Sequence, residues 1–530
     1  MKKMLLLVLA GVLAMYAANA QETCPLIPKP AQAKLSSGAF ILSKETVIQL
    51  QGKSLYSQGK YLQQQLLNLY GAMLPIVTKP GKHTILLRED KNAGNGEGYT
   101  LNISPGAVSI MAGDTAGIIN GIASFIQLSV FGTFSDRQLM ISCWQIKDQP
   151  KYAWRGVLLD ESRFFFGKSK VKSVLDWMAF YKLNRFHWHL TDAPGWRIEI
   201  KQYPLLTTVG GIGNHNNSKA PAAFYTQEDI REIVAYAAQR GITVIPEIDM
   251  PGHASAANRA YPEFDGGGSE KFPQFTFNPG KEGTYQYLAN ILKEVRKLFP
   301  SGIIHLGGDE VTFGNAGWDK DPGVINLKTK YGLTDRKQVE DYFIQRMADT
   351  VIKLRSKVMA WDEAASASLS PASTIITWWR HDKPETLNMA LDKGYKVVLC
   401  PRIPFYLDFV QDSSHKIGRR WAGKFNDLQT VYNFDANSLP GVSAHASQVL
   451  GVQACVWTET VQNPERLDFL LFPRIAAVAE TAWSTDKDFT DFEKRLQGHL
   501  DFYDRDNLYY YDARKPQRHK ESGVTSSYLD

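Results

Sequence analysis

A (β/α)8 TIM barrel preceded by a small α+β domain is the fold class that this 530-residue chain predicts, and three observations carry it. Eight short apolar runs recur from residue 155 onward, each followed by a polar or glycine-rich turn. Amphipathic helical stretches lie between them, and the whole pattern covers about 330 residues, a length that suits a closed barrel. Nearly every run also ends in acids, Trp, His or Arg. A barrel collects all eight C-terminal strand ends on one face, whereas the rival, an open doubly wound sheet, leaves that coincidence unexplained.

Taken in chain order, residues 1–20 come first. "MKKMLLLVLAGVLAMYAANA" has a Lys-Lys start, an apolar stretch and a small-residue end, the pattern of an export signal. A periplasmic or extracellular product is therefore expected. Cys24 lacks the small-residue context of a lipid anchor, so a protein without one is expected. No later apolar stretch reaches the ~20 residues of a membrane helix. Residues 21–150 alternate β-like runs ("TILLRED", "YTLNIS", "AVSIMAG") with one helix, "TAGIINGIASFIQLSV", and read as the α+β domain.

The barrel is expected over 151–485. Its runs are "GVLLDESR", "RFHWHLTD", "ITVIPEID", "IIHLGGDE", "KVMAWDEA", "TIITWW", "KVVLCP" and "GVQACVWTE". "SKVKSVLDWMAFYKL" is the first helix between them. "TQEDIREIVAYAAQRG" is another, with a Thr226/Asp229 capping box at one end and Gly241 at the other. Residues 486–530 are expected to form a helical segment packed on the barrel.

Composition narrows the function. With 44% hydrophobic and 22% charged residues the chain is globular. The formal charge of +6 falls to +4 without Lys2 and Lys3, and no basic run supports a nucleic-acid partner. The four cysteines form no C-x-x-C pair and no disulfide framework; Cys400 and Cys455, in apolar runs, read as buried inert thiols.

Acids and tryptophans at one barrel mouth suggest carbohydrate, because Trp offers an apolar face to sugar C–H surfaces. Trp361, Trp378, Trp379 and Trp457 lie at or past the ends of three runs. Trp457 and Glu459, like Tyr406 and Asp408, are two apart and would share a face of a strand. Asp309 and Glu310 are adjacent, and on a strand they would point to opposite faces. They could not then flank a sugar as the two carboxylates of most glycosidases do. If Glu310 is the general acid, the nucleophile comes from elsewhere, and a 2-acetamido sugar can supply its own.

"HLGGDEV", "HWHLTDAPGWRIEI", "YTQEDIREIVAYAAQRGITVIPEIDMPGHA", "VMAWDEA" and "VQACVWTET" resemble the motif segments of glycoside hydrolase family 20, the β-N-acetylhexosaminidases. The likeness covers about 150–485 in the same order, and "AGDTAGIINGIASFIQL" resembles that family's N-terminal domain. The resemblance implies an exo-acting, retaining hydrolase of terminal β-linked GlcNAc or GalNAc, working through an oxazolinium intermediate without cofactor or metal. It implies Glu310 as general acid/base and Asp309 as the group orienting the acetamide. Tyr406 would bond the acetamide oxygen. Trp361, Trp379 (or Trp378) and Trp457 would box the sugar, while Arg163, Asp408 and Glu459 would hold its outer hydroxyls. Asp192 and His253 would form a supporting pair. Phe164, where many relatives carry His, departs from the pattern beside Arg163.

Two other readings compete. His187 and His189 are two apart on one strand, as the metal pair of an amidohydrolase such as a sugar deacetylase would be. A non-catalytic carbohydrate-binding protein could also use the scaffold. Against it stands the acid itself, Glu310.

Overall fold

The computed structural model describes residues 23–522 except 53, 94–95, 136–137 and 421–422. The export signal expected at 1–20 lies outside the described residues. The chain divides into two compact units, Met1–Gln149 with Thr490–Phe502, and Pro150–Phe489 with Tyr503–Asp530.

The first unit contains β1 (Gln32–Leu42), β2 (Thr46–Gln51), β3 (Ile76–Val77), β4 (His83–Glu89), β5 (Tyr99–Ile103), β6 (Ala107–Ala112), β7 (Thr133–Ser135) and β8 (Gln138–Asp148). They form one mixed sheet in the order β1-β8-β5-β6-β4-β2-β3, with β7 on β8. The helix Thr115–Val130 starts where the Asp114 side chain accepts the Gly117 N–H at 2.9 Å. It is buried from Gly117 to Val130. A Cβ at Gly121 would lie 2.4 Å from Ile110 on β6, so the missing side chain is what lets helix and sheet touch.

Thr490–Phe502, most of the helix Phe489–Arg505, belongs to this unit. Arg495 donates to the Leu26 carbonyl at 2.9 Å, His499 to that of Pro25 at 3.1 Å, and the His499 ring meets Phe131 at 5.0 Å. Arg495 and His499 are four apart on one helical face, and that face finds its partners at residues 25–26 and 131. This revises the expectation that 486–530 packs on the barrel throughout. Tyr503 does belong to the second unit, its ring 5.2 Å from Trp177.

The second unit is a closed, all-parallel barrel. Its strands are β9 (Trp154–Asp160), β10 (Arg185–His189), β11 (Thr243–Glu247), β14 (Ile303–His305), β15 (Lys357–Trp361), β16 (Thr374–Trp378), β17 (Lys396–Leu399) and β18 (Val449–Val456), closing back onto β9. A small ribbon, β12 (Asp265–Gly267) and β13 (Thr276–Phe277), follows β11. All eight apolar runs are strands. β9 is buried along its whole length, as strands covered on both faces must be. The helix Gln227–Gln239 carries the Thr226/Asp229 capping box, and Gly241 follows at φ +70°.

Inside the barrel, Trp154, Ile245, Met359, Ile375 and Val398 make an apolar plug. Beside it runs a polar layer. Asp160, His189, Glu247 and His305 are register partners across β9, β10, β11 and β14. Register partners on parallel strands share a face, so four ionisable side chains are stacked under the C-terminal mouth.

Candidate active site

The stretch "IIHLGGDEV" does not behave as a strand to its end. β14 stops at His305, and Gly307 and Gly308 turn the chain at φ +67° and +93°. A Cβ on Gly307 would lie 1.8 Å from Asp249 Oδ1, and that same oxygen accepts the Gly308 N–H at 3.2 Å. Gly307 therefore makes room for the Asp249 carboxylate, which Gly308 holds by its N–H. Asp309 and Glu310 lie beyond the strand, so strand alternation does not govern them. Both line one cavity instead of facing apart. Glu310 takes a left-handed conformation, φ 52° and ψ 21°, uncommon for a non-glycine residue.

That cavity, ≈ 230 Å³, gathers Arg163, Asp309, Glu310, Trp361, Trp379, Tyr406, Trp457 and Glu459. Phe313, Arg402, Phe409 and Arg419 line it as well. Phe313 and Arg402 stand three residues after Glu310 and just past the seventh run, a proximity the sequence already held. Phe409 directly follows Asp408, and Arg419 lies in a segment whose fold the sequence does not disclose. Trp378 is buried, its indole N–H directed at the Lys383 carbonyl 3.4 Å away, so Trp379 is the wall. Trp379 and Tyr406 lie parallel within 8°, centroids 6.3 Å apart, and Trp457 is 6.1 Å from Tyr406 and 5.9 Å from Trp361. Cys400 and Cys455 are buried against this aromatic group, and burial pushes the Cys400 thiol well up.

Asp408 is not in the lining. It is 2% exposed, and the two-residue spacing with Tyr406 fails because 407–408 form a turn rather than a strand. Burial, opposed by Arg419 and reinforced by Glu459, pushes its carboxyl up to about 7. Glu459 lies 2.9 Å from Arg419 and 3.8 Å from Arg163. Those cations outweigh the effect of its burial and bring it down to about 2. Phe164 is buried with its ring 6.5 Å from His215, and its N–H donates to Thr458.

Behind the wall, Asp192 joins three groups. It lies 2.7 Å from Arg163, 2.9 Å from His189 Nε2 and 3.0 Å from His253 Nδ1. Burial disfavours its charge, yet Arg163 and His253 hold it well below the ordinary range. The other face of His253 reaches the acids, with Nε2 3.5 Å from Glu310 Oε2 and 3.6 Å from Asp309 Oδ2. His253, too, sits at φ 52°, so two non-glycine residues in a costly conformation meet across the site. Asp309 is held well above the usual aspartate range by burial and then by Asp249, against the pull of His253. Asp249 itself is pushed up to about 7, chiefly by burial.

Glu247 anchors the layer below. Its carboxylate accepts the Trp361 indole N–H at 2.8 Å. It also lies 2.9 Å from His187 Nε2, 2.8 Å from His189 Nδ1 and 3.2 Å from His305 Nδ1. His189 is thus clasped between Glu247 and Asp192, which overcome its burial and hold it well above the usual histidine range. His187 is pushed down to about 4 by burial and by His305. His187 and His189, the metal pair of the amidohydrolase reading, turn toward this carboxylate within the barrel, and neither lines the cavity. Glu247 and His189 stood among the strand-end residues in the sequence, but only the register brings them together.

Residues 152–486 match the family model "Glycosyl hydrolase family 20, catalytic domain", and 23–149 match "Glycosyl hydrolase family 20, domain 2". A β-hexosaminidase of Vibrio furnissii is 34% identical over 482 residues, 87% of this chain and 77% of that protein. A β-N-acetylhexosaminidase of Cellulomonas fimi is 31% identical over 503 residues, 91% and 94% of the respective lengths. Among solved structures, an exo-β-N-acetylglucosaminidase from Vibrio harveyi in complex with N-acetylglucosamine is similar with a TM-score of 0.85. It shares 32% identity, over 92% of this chain and 78% of that one.

Proposed function

This chain belongs to glycoside hydrolase family 20 and is a glycoside hydrolase of the β-N-acetylhexosaminidase type, and from that premise we propose that it removes terminal, non-reducing β-linked GlcNAc or GalNAc with retention of configuration. The observation that carries the mechanism is the division of acids in the cavity. Among the described residues, the carboxylates that line it are Asp309, Glu310 and Glu459, and Glu459 is engaged by Arg419 and Arg163. No carboxylate of the lining is left across the cavity to attack the sugar, so the nucleophile is the substrate's acetamide.

In this reading Glu310, the most accessible of the three with a side chain 35% exposed, protonates the glycosidic oxygen. The acetamide oxygen bonds to the anomeric carbon as the C–O bond to the leaving group breaks. Asp309 accepts the acetamide N–H and offsets the positive charge of the oxazolinium. Tyr406 donates its O–H to the acetamide oxygen, and Trp361, Trp379 and Trp457 exclude water around the methyl group. Glu310 then takes a proton from the water that opens the ring from the same face as the departed group. Arg163 and Glu459, which line the cavity, hold the outer hydroxyls, and Asp408, buried behind the lining, does not reach them. Asp192 and His253 keep Glu310 in place. An export signal at 1–20 would carry the enzyme to the periplasm or beyond.

Following the first-formed anomer by NMR on p-nitrophenyl 2-acetamido-2-deoxy-β-glucoside and -galactoside tests the proposal. The β anomer is expected first, with strong inhibition by a thiazoline mimic of the oxazolinium. An α anomer, or equal turnover of the β-glucoside that lacks the acetamide, would refute it.

A further inference from the structure

At the rim of the cavity, one turn of chain beyond Glu310, stands an aromatic ring without an assigned role. Phe313 lines the cavity and is 43% exposed, although it is one of the larger apolar side chains. Its backbone N–H closes onto the Glu310 carbonyl at 3.0 Å in the short turn Val311–Phe313, so the ring is held at a fixed place relative to the acid. The ring is parallel to that of Phe272 within 11°, centroids 5.3 Å apart, and lies 6.4 Å from Phe275. Phe275 is buried and packs against His253 at 4.8 Å. The chain after Phe313 is pressed onto the same ring, since a Cβ at Gly314 would fall 2.5 Å from Phe275 Cβ. The ring, braced by two others at the rim of the cavity, offers a flat apolar face to a molecule that extends out of it.

A general acid stands beside the bond it cleaves, and the group it protonates departs on its side. We infer that Phe313, braced by Phe272, is the platform for the sugar on the leaving side of the scissile bond, a pyranose whose C–H face stacks on the phenyl ring. A pyranose fits this rim because it is flat and two-sided, presenting C–H groups to the ring and hydroxyls to water and to neighbours such as Glu310. The inference rests on the proposed role of Glu310 and narrows the substrate to glycans whose penultimate unit is a sugar.

The test compares kcat/KM on N,N′-diacetylchitobiose with that on 2-acetamido-2-deoxy-β-glucosyl fluoride, whose leaving group is a single atom. Phe313→Ala is expected to lose about ten-fold more on the disaccharide than on the fluoride, mostly through KM. Phe313→Trp should restore the ratio. Phe272→Ala should move it the same way by less, which keeps the test open if Phe313→Ala does not fold. Equal losses on the two substrates, no loss on the disaccharide, or a wild type that cleaves only the fluoride would overturn the platform. A wild type that cleaves neither substrate would instead remove the functional reading on which it rests.

Discussion

Gly307 and Glu310 show how much of the site depends on single backbone conformations. Gly307→Ala would set a methyl group against the Asp249 carboxylate in a left-handed conformation. The expected cost is about 3 kcal/mol, read as a lowered melting temperature. Glu310→Gln should lower kcat by about a thousand-fold or more on a substrate with a poor leaving group, with the melting temperature unchanged. Near wild-type turnover would remove Glu310 from its role. The pH dependence belongs at this scale too. In the proposed role Asp309 must be ionised to offset the positive charge of the oxazolinium, and burial with Asp249 holds its pKa well above the aspartate range. Activity should therefore fail on acidification at a pH above that of an ordinary aspartate. Asp249→Asn removes the neighbouring acid and should move that limb to lower pH, as a pH profile of kcat/KM would show.

At the scale of elements, four neighbouring strands deliver the polar layer, one ionisable residue each: Asp160, His189, Glu247 and His305. The layer holds the cavity wall from beneath, through Trp361 on Glu247 and through Asp192 on His189. Glu247→Ala would strand buried histidines and the Trp361 N–H, and a loss of about 3–5 kcal/mol is expected in denaturant unfolding. Glu247→Gln keeps an acceptor for the indole and should cost less. If the alanine variant were as stable as wild type, the layer would not be a support. The eight apolar runs disclosed the strands, because a strand buried on both faces is mostly apolar, its polar residues confined to positions that pair inside the barrel. The two-residue spacings past their ends were less informative. Trp457 with Glu459 both reach the cavity, whereas Asp408 does not follow Tyr406 there. Beyond a strand end no pleat fixes direction, and the turn decides.

For the whole molecule, buried neutral histidines tie stability to pH in both units. His499 in the first unit is pushed down to about 3 by burial. Its folded value lies below the unfolded value of about 6.5, so the unfolded chain binds the extra proton between the two. Its contribution is therefore complete above pH 6.5 and declines as pH falls toward 3. The loss of stability between pH 7 and 4.5 should be smaller in His499→Gln than in wild type by about 2–3 kcal/mol. An identical loss in the two proteins would contradict the assignment.

By itself the sequence determined the barrel, the α+β domain before it and the residues that belong at one mouth. Periodicity and burial are local properties of the chain, and a closed parallel sheet has only one end at which its strand-to-helix turns can meet. Tertiary structure alone decided that Gly307 yields to Asp249, that Trp379 rather than Trp378 is the wall, and that Thr490–Phe502 joins the first unit. It alone stacked Phe313 on Phe272 and clasped His189 between Glu247 and Asp192. Those facts are contacts that local periodicity does not encode, fixed by strand register and by which face of a turn or helix finds a partner.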